Sequence, residues 1–504
     1  MKTTFQKLLL VFVLSIFAVN IAISQDNKEK GINAVKNKDY VKGIELLKTV
    51  VDKDKSYETN FYYGLALLYT GSLNDAEKYF KVALQDDDEG VNALIGLGDI
   101  KLETKNYDAA ISYFDKVLKI EPNNVPALVD KAKAYLAKGK IDKGIELLTN
   151  AQINDPNNAE ILVALGDAYY ERDTYPVALD NYNKALKLNP KLASAYFGIA
   201  RTYTKQARII EDVDKKQAKY NQALEAYDKA ISVDPRFAEA YYEKAFILYA
   251  AGKYDVTTDE MKKYIELRPN SIKGKYLYGR ALYRMNSYDD AITVMKSIAV
   301  SDTAYASLAN LYLAKIYSER PTKDSVVQAD YYQNALKYYA LVKPEDIEYS
   351  DILSIANIYA WQGNSTEALN NFNKAIAKEP DNYEAYYELG KYYFNTEKYD
   401  QAAETFEKAK TKGMKTSVGF LYTGLTYNYL KNYEQAISNL QASISIKPNG
   451  LTYLYIAKSY RAMNNKELAL ENYRNALKLE PDNQEAKDAI KVLESQTTPT
   501  NGNQ

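Results

Sequence analysis

The chain has 504 residues, 46% apolar and 26% charged, with 65 basic and 66 acidic side chains for a net charge of −1. It contains neither cysteine nor histidine, which excludes a disulfide framework, a thiolate zinc site, a cysteine nucleophile and the usual neutral-pH general base. The balanced charge gives no global case for nucleic acid, and tyrosine is the compositional outlier at 49 copies.

The N-terminus reads as an export signal. Lys2 and Lys7 precede the run 8–23, which is apolar apart from Ser15 and Asn20, and Ala22 and Ser24 put small residues where a signal peptidase cuts. A run of 16 residues falls short of the roughly 20 that a membrane span needs. Residues 1–24 are therefore expected to be removed and the chain to be exported, periplasmic or extracellular, with membrane attachment only if the signal is retained.

From residue 25 the chain repeats itself. "NYDAAISYFDKVLKIEPNN" at 106–124 returns as "TYPVALDNYNKALKLNPKL" at 174–192 and "KELALENYRNALKLEPDN" at 466–483. Pro122, Pro156 and Pro190 are spaced by 34 residues, as are Pro235 and Pro269; Pro380, Pro448 and Pro481 continue the phase. Self-similarity at such a period signals a stacked-repeat architecture. Each unit carries two apolar stripes at helical spacing around a short polar turn. In residues 91–122 these are Leu94, Leu97, Gly98 and Lys101, then Ala110, Phe114, Val117 and Leu118, with "KNYD" between. Proline ends the second helix because it lacks an N–H and clashes with the preceding turn.

The small residues are the sharpest signal. The eighth position is Gly or Ala in all 13 units, from Gly31, Gly64 and Gly98 to Gly424 and Ala457, and the twentieth in 12 of 13, with Thr257 the exception. Glycine inside a helix costs about 1 kcal/mol against alanine, so close helix contact must compensate. Position 24 carries a bulky plug, among them Phe80, Phe114, Tyr182, Met261, Phe406 and Tyr473, to fill the gap against the next unit. This pattern resembles the tetratricopeptide repeat. The resemblance covers residues 25–483 and implies an all-α, right-handed α-solenoid of about 13 helix-turn-helix repeats.

The chain departs from the pattern in places. The first copy has Asn27 and Lys30 where apolar residues belong, suiting an end cap. The sixth carries about 11 extra residues around 205–215 without a helix breaker, so both its helices are expected to be longer. The ninth carries about nine extra at 320–328, expected to form a protruding loop. Residues 484–495 read as a C-terminal capping helix and 496–504 as a disordered tail.

No P-loop, GxGxxG or GxSxG motif occurs. The acidic run "QDDDEG" at 85–90 reads as a solvated turn, with a weak calcium loop as the alternative. No catalytic residue, metal or cofactor is expected, and the chain reads as a non-enzyme.

The resemblance implies that positions 2, 5, 9 and 12 of each first helix face the groove. The densest aromatic and basic set then comprises Arg201, Tyr242, Phe246, Tyr249, Tyr276, Arg280, Tyr283 and Arg284. Tyrosine and arginine concentrate binding energy, and the basic residues are expected to have no packing role there. The expected function is a protein-binding scaffold of the bacterial cell envelope, holding an acidic or extended partner segment. Polysaccharide binding, or service as an accessory subunit of an envelope enzyme or secretion complex, are the alternatives. No nucleic acid is expected, and exposed end faces leave a route to self-association. The family's clamp for a C-terminal carboxylate needs Lys at position 5, which no copy has.

Overall fold

The polar tetrapeptides between the stripes decide how each repeat turns. In "TKNYD", Thr104 ends the helix Val91–Glu103 and Lys105 takes a left-handed backbone at φ 62°. Its N–H bonds to the Leu102 carbonyl and that of Asn106 to the Lys101 carbonyl, the Schellman arrangement that satisfies a helix's last carbonyls. Asn106 then caps Tyr107–Ile120, its side chain accepting from Ala109 N–H. One residue closes the first helix and opens the second. The same left-handed position recurs at Lys38, Gly71, Gly139, Asp173, Gly252, Asn286, Gly363, Glu397, Lys431 and Asn464.

The computed structural model describes residues 24–301 and 304–495; residues 1–23 of the expected signal and the tail expected at 496–504 lie outside them. Every regular element among the described residues is helical, as the repeat pattern demands. The chain divides into two compact units, residues 1–301 and 302–504, each a stack of antiparallel helix pairs.

In the first unit, Val125–Ala137 pairs with Ile141–Asn154 and Ala159–Glu171 with Tyr175–Leu188. The sixth pair is longer, Ala193–Ile209 with 17 residues and Val213–Val233 with 21. In the second unit the ninth pair is Tyr305–Glu319 and Ser325–Tyr339. The protruding loop expected at 320–328 is therefore shorter. Asp324 accepts from the N–H groups of Val326 and Val327, and this cap draws residues 325–328 into the helix. Gln484–Ser495 covers the end of the second unit, burying Ala486, Ala489 and Leu493 in the cluster that holds Tyr473.

The plugs form the core. Phe80, Phe114, Leu148, Tyr182, Tyr227, Met261, Met295, Phe372, Phe406 and Leu440 are wholly buried. A Cβ on Gly98 would lie 2.4 Å from the Phe114 ring, and one on Gly166 2.5 Å from Tyr182. The next repeat closes from the other side: a Cβ on Gly96 would meet Phe80 at 2.5 Å and one on Gly198 would meet Tyr182 at 2.4 Å. Phe80 and Tyr182 thus lie between a glycine of their own repeat and one of the next, so the glycines compensate their helix cost by admitting a fully buried aromatic.

Candidate functional site

Position 9 of four consecutive first helices places Asp99, Lys133, Asp167 and Arg201 in a ladder of alternating charge on the inner face of the first unit. Lys133 pairs with Asp130 at 2.7 Å, Asp167 accepts from the buried Tyr182 hydroxyl at 2.8 Å, and Arg201 reaches Glu171 at 3.4 Å. Burial, with the Asp130 charge second, pushes the Asp99 carboxyl up to about 8. Asp167 is also raised by burial, against the opposing pull of Arg201 and Tyr182. Burial pulls Lys133 down, but Asp130, Asp167 and Asp99 outweigh it and hold the ammonium well above its usual range. Yet 47% of the Lys133 side chain remains open to solvent. The ladder is therefore in reach of water rather than sealed in a dry core.

The eight residues singled out by sequence fall into two clusters. Arg201, Tyr242 and Phe246 line one cavity of about 340 Å³ together with Tyr170, Lys205, Arg208 and Tyr227. The Arg201 guanidinium lies 4.4 Å from the Tyr170 ring centroid and 5.8 Å from Phe197. Lys273 stands 4.7 Å over Tyr242. In the second cluster, Arg280 stacks on Tyr249 at 4.6 Å and on Tyr276 at 5.5 Å. Arg284 donates through Nε to the Tyr254 hydroxyl at 3.1 Å and covers the same ring at 5.2 Å. Tyr283 is half-buried beside Arg284 on Ile272–Arg284.

The expectation that the basic residues have no packing role is corrected. Both inner arginines lie over tyrosine faces, because the flat, weakly hydrated guanidinium is attracted to the ring quadrupole. Arg201 is further answered by Asp167 and Glu171. Sequence reasoning missed Lys205 and Arg208 because they belong to the insertion and drop out of the repeat frame. It missed Tyr254 because that residue opens a second helix.

The first unit also closes on itself. Lys38 reaches Asp234 at 2.6 Å, Arg236 donates to the Asn37 carbonyl, and the Asn270 amide donates to the Ser72 hydroxyl at 2.8 Å. Arg268 stands 5.9 Å over Tyr69, which stacks on Tyr40 at 4.6 Å. A cavity of about 620 Å³ lies at this junction, lined by Lys36, Lys38, Asp234 and Arg236 among others.

In the acidic run at 85–90, Asp86 accepts from the Tyr57 N–H at 2.7 Å, and no group of three or more acidic side chains arranged for a metal occurs among the described residues. No helix among them is long and apolar enough to cross a membrane. The second unit carries its own aromatic series. Tyr399 and Tyr429 stack at 4.8 Å and 2°, and Phe394 meets Tyr399, Tyr422 and Tyr429 edge-on at 5.4–5.7 Å.

Models of the tetratricopeptide repeat match residues 64–125 and 353–415, 101–165, 166–206, and 424–449 with 452–483. A model described as anaphase-promoting complex, cyclosome, subunit 3 matches residues 216–298. Among solved structures, the crystal structure of MamA is 30% identical, covering 35% of this chain and 97% of that one, with a TM-score of 0.24. The hetero-tetramer Cut9–Hcn1 of the APC/C is 16% identical over 93% of this chain and 96% of that chain, at a TM-score of 0.36. A tetratricopeptide repeat protein from Parabacteroides merdae is 20% identical over 50% and 94%, at 0.31. None of the curated proteins compared matches the chain.

Proposed function

Because this chain belongs to the tetratricopeptide-repeat family, we propose that it is a non-enzymatic scaffold of the bacterial cell envelope, holding a segment of a partner protein along the inner face of its first unit. Repeats of this kind serve as protein-interaction scaffolds. The observation that carries the reading is the pair of arginine–tyrosine clusters, with Phe246 of the first still 42% exposed. Preassembled rings and guanidinium groups offer large, rigid contact area at little entropic cost.

Lys205, Arg208, Lys273, Arg280 and Arg284 bias this end of the face toward a partner segment with acidic side chains. Such binding weakens as salt rises, because half-exposed charges are screened. The envelope assignment rests on the signal character of residues 1–24, and Gln25 as the first residue of secreted material would support it.

The test is capture of partners from intact cells by crosslinking. Arg201→Glu combined with Arg280→Glu should abolish capture, with circular dichroism of the same variant checking that the helices stay folded, since both arginines also pack on tyrosine rings. Undiminished capture by the double variant would place the partner elsewhere. The second unit favours a second reading, sugar binding, because Tyr429 leaves 48% of its surface exposed beside its stacked partner. Sugar retention would be indifferent to salt and lost in Tyr429→Ala.

A further inference from the structure

The insertion in the sixth repeat has a structural result that the scaffold reading leaves unused. Ala193–Ile209 runs to 17 residues, about one turn beyond its neighbours. That turn carries Lys205 and Arg208, four and seven residues after Arg201 and on the same side of the helix. All three line the cavity of about 340 Å³, faced by Tyr227, Tyr242 and Phe246.

Tyr227 supplies the independent observation. Its side chain is wholly buried, and its hydroxyl makes no well-formed hydrogen bond, with the Thr204 hydroxyl as its neighbour. Thr204, on the same wall, gives its own proton to the Ala200 carbonyl at 2.9 Å. A buried hydroxyl left unmatched is costly, and such groups in native proteins call for an explanation. Burial raises the Tyr227 phenol above its ordinary range, so it stays protonated and able to donate. The cations differ in their commitments. Arg201 is answered by Glu171 and Lys205 by Asp173, whereas Arg208 is exposed and makes no ion pair among the described residues. Glu243 on the wall weighs against a doubly charged phosphate.

We propose that the lengthened sixth repeat builds a recess for a single carboxylate carried beside an aromatic or other apolar group, as in an acidic side chain next to a ring in the bound segment. The proposal rests on the scaffold reading and adds what the recess selects. Arg208 and Lys205 face the carboxylate, the Tyr227 hydroxyl donates to it, and the apolar group rests on Phe246 and Tyr242.

The probe is 3-phenylpropionate, titrated against the full chain by ligand-observed NMR, with 3-phenylpropionamide and phenyl phosphate as companions. A fragment of this size should bind at about millimolar concentration, and the amide about tenfold more weakly. Arg208→Gln should weaken the acid about fivefold. Tyr227→Phe should weaken it without lowering the melting temperature, since the lost hydroxyl makes no well-formed internal bond; a merely structural tyrosine would leave the affinity unmoved. Equal binding of acid and amide, no binding by the acid, or indifference to Arg208→Gln overturns the recess. Tighter binding of phenyl phosphate than of the acid overturns the carboxylate assignment in favour of a phosphate ester. The titration needs no partner protein, so its failure is distinct from failure of the Arg201→Glu/Arg280→Glu capture test.

Discussion

Asp99 shows what the inner face does to a single residue. Asp130, Lys133 and Glu103 face it from its own and the neighbouring helix, with Tyr69 in reach, and its carboxyl titrates near 8 instead of in the ordinary carboxylate range. Between about pH 4 and pH 8 the unfolded chain has released this proton and the folded chain has kept it. The folded state then binds more protons, so this group's contribution to stability falls as pH rises through that window. Asp99→Asn should therefore melt at the same temperature as the parent near pH 4 and progressively higher than the parent toward pH 8. Parallel melting curves at every pH would show that the carboxyl ionises normally. The alternation Asp99, Lys133, Asp167, Arg201 was legible as a string of position-9 residues. That the rungs lie close enough to shift each other's protons was not, because spacing along one chain says nothing of curvature. The same gap hid the stacking of Arg201 on Tyr170 and of Arg280 on Tyr249.

At the scale of the helix pair, the sequence was most readable where geometry left one solution. Gly98 and Phe114 are 16 residues apart in sequence, yet a Cβ on one would strike the ring of the other; only two antiparallel helices in contact give that pairing. The turn was less readable. Its left-handed residue is glycine at Gly139 and Gly252 but Lys105, Asp173 and Glu397 elsewhere, so the position lacks a consistent residue type although its backbone is fixed. Insertions were hardest, since extra residues extend helices or loops according to caps such as Asp324. The packing also predicts how damage spreads. Phe114→Ala removes a wholly buried ring and should cost about 3–5 kcal/mol. In a solenoid that loss stays with the repeat and its neighbours. Amide exchange should accelerate in Val91–Glu103, Tyr107–Ile120 and Val125–Ala137 and be unchanged in Tyr433–Ile446. Uniform acceleration along the chain would contradict nearest-neighbour stability.

At the largest scale, the first unit breaks the rule that repeats touch only their neighbours. Turns of the first two repeats meet residues 234–237 and 268–270, nearly 200 positions later. Nothing in a 34-residue period announces this, because it depends on the small rotation accumulated at each repeat. The joint consists of an exposed ion pair, two hydrogen bonds and a cation over a ring, and contacts of this kind contribute about 0–1 kcal/mol each. It should therefore be a closure that opens readily. The joint can be trapped because the natural chain has no cysteine. A Cβ on Gly71 would lie 3.9 Å from that of Asn270, near the spacing a disulfide prefers. Gly71→Cys with Asn270→Cys should form one internal disulfide under mild oxidation, visible as faster migration on a non-reducing gel. The left-handed backbone at Gly71, φ 88°, will strain the new side chain but does not alter that approach. Raising the salt should slow the oxidation, since the Lys38–Asp234 pair that helps hold the turns together is screened. If the disulfide fails to form at low salt, the unit is open in solution and the joint does not hold these turns together.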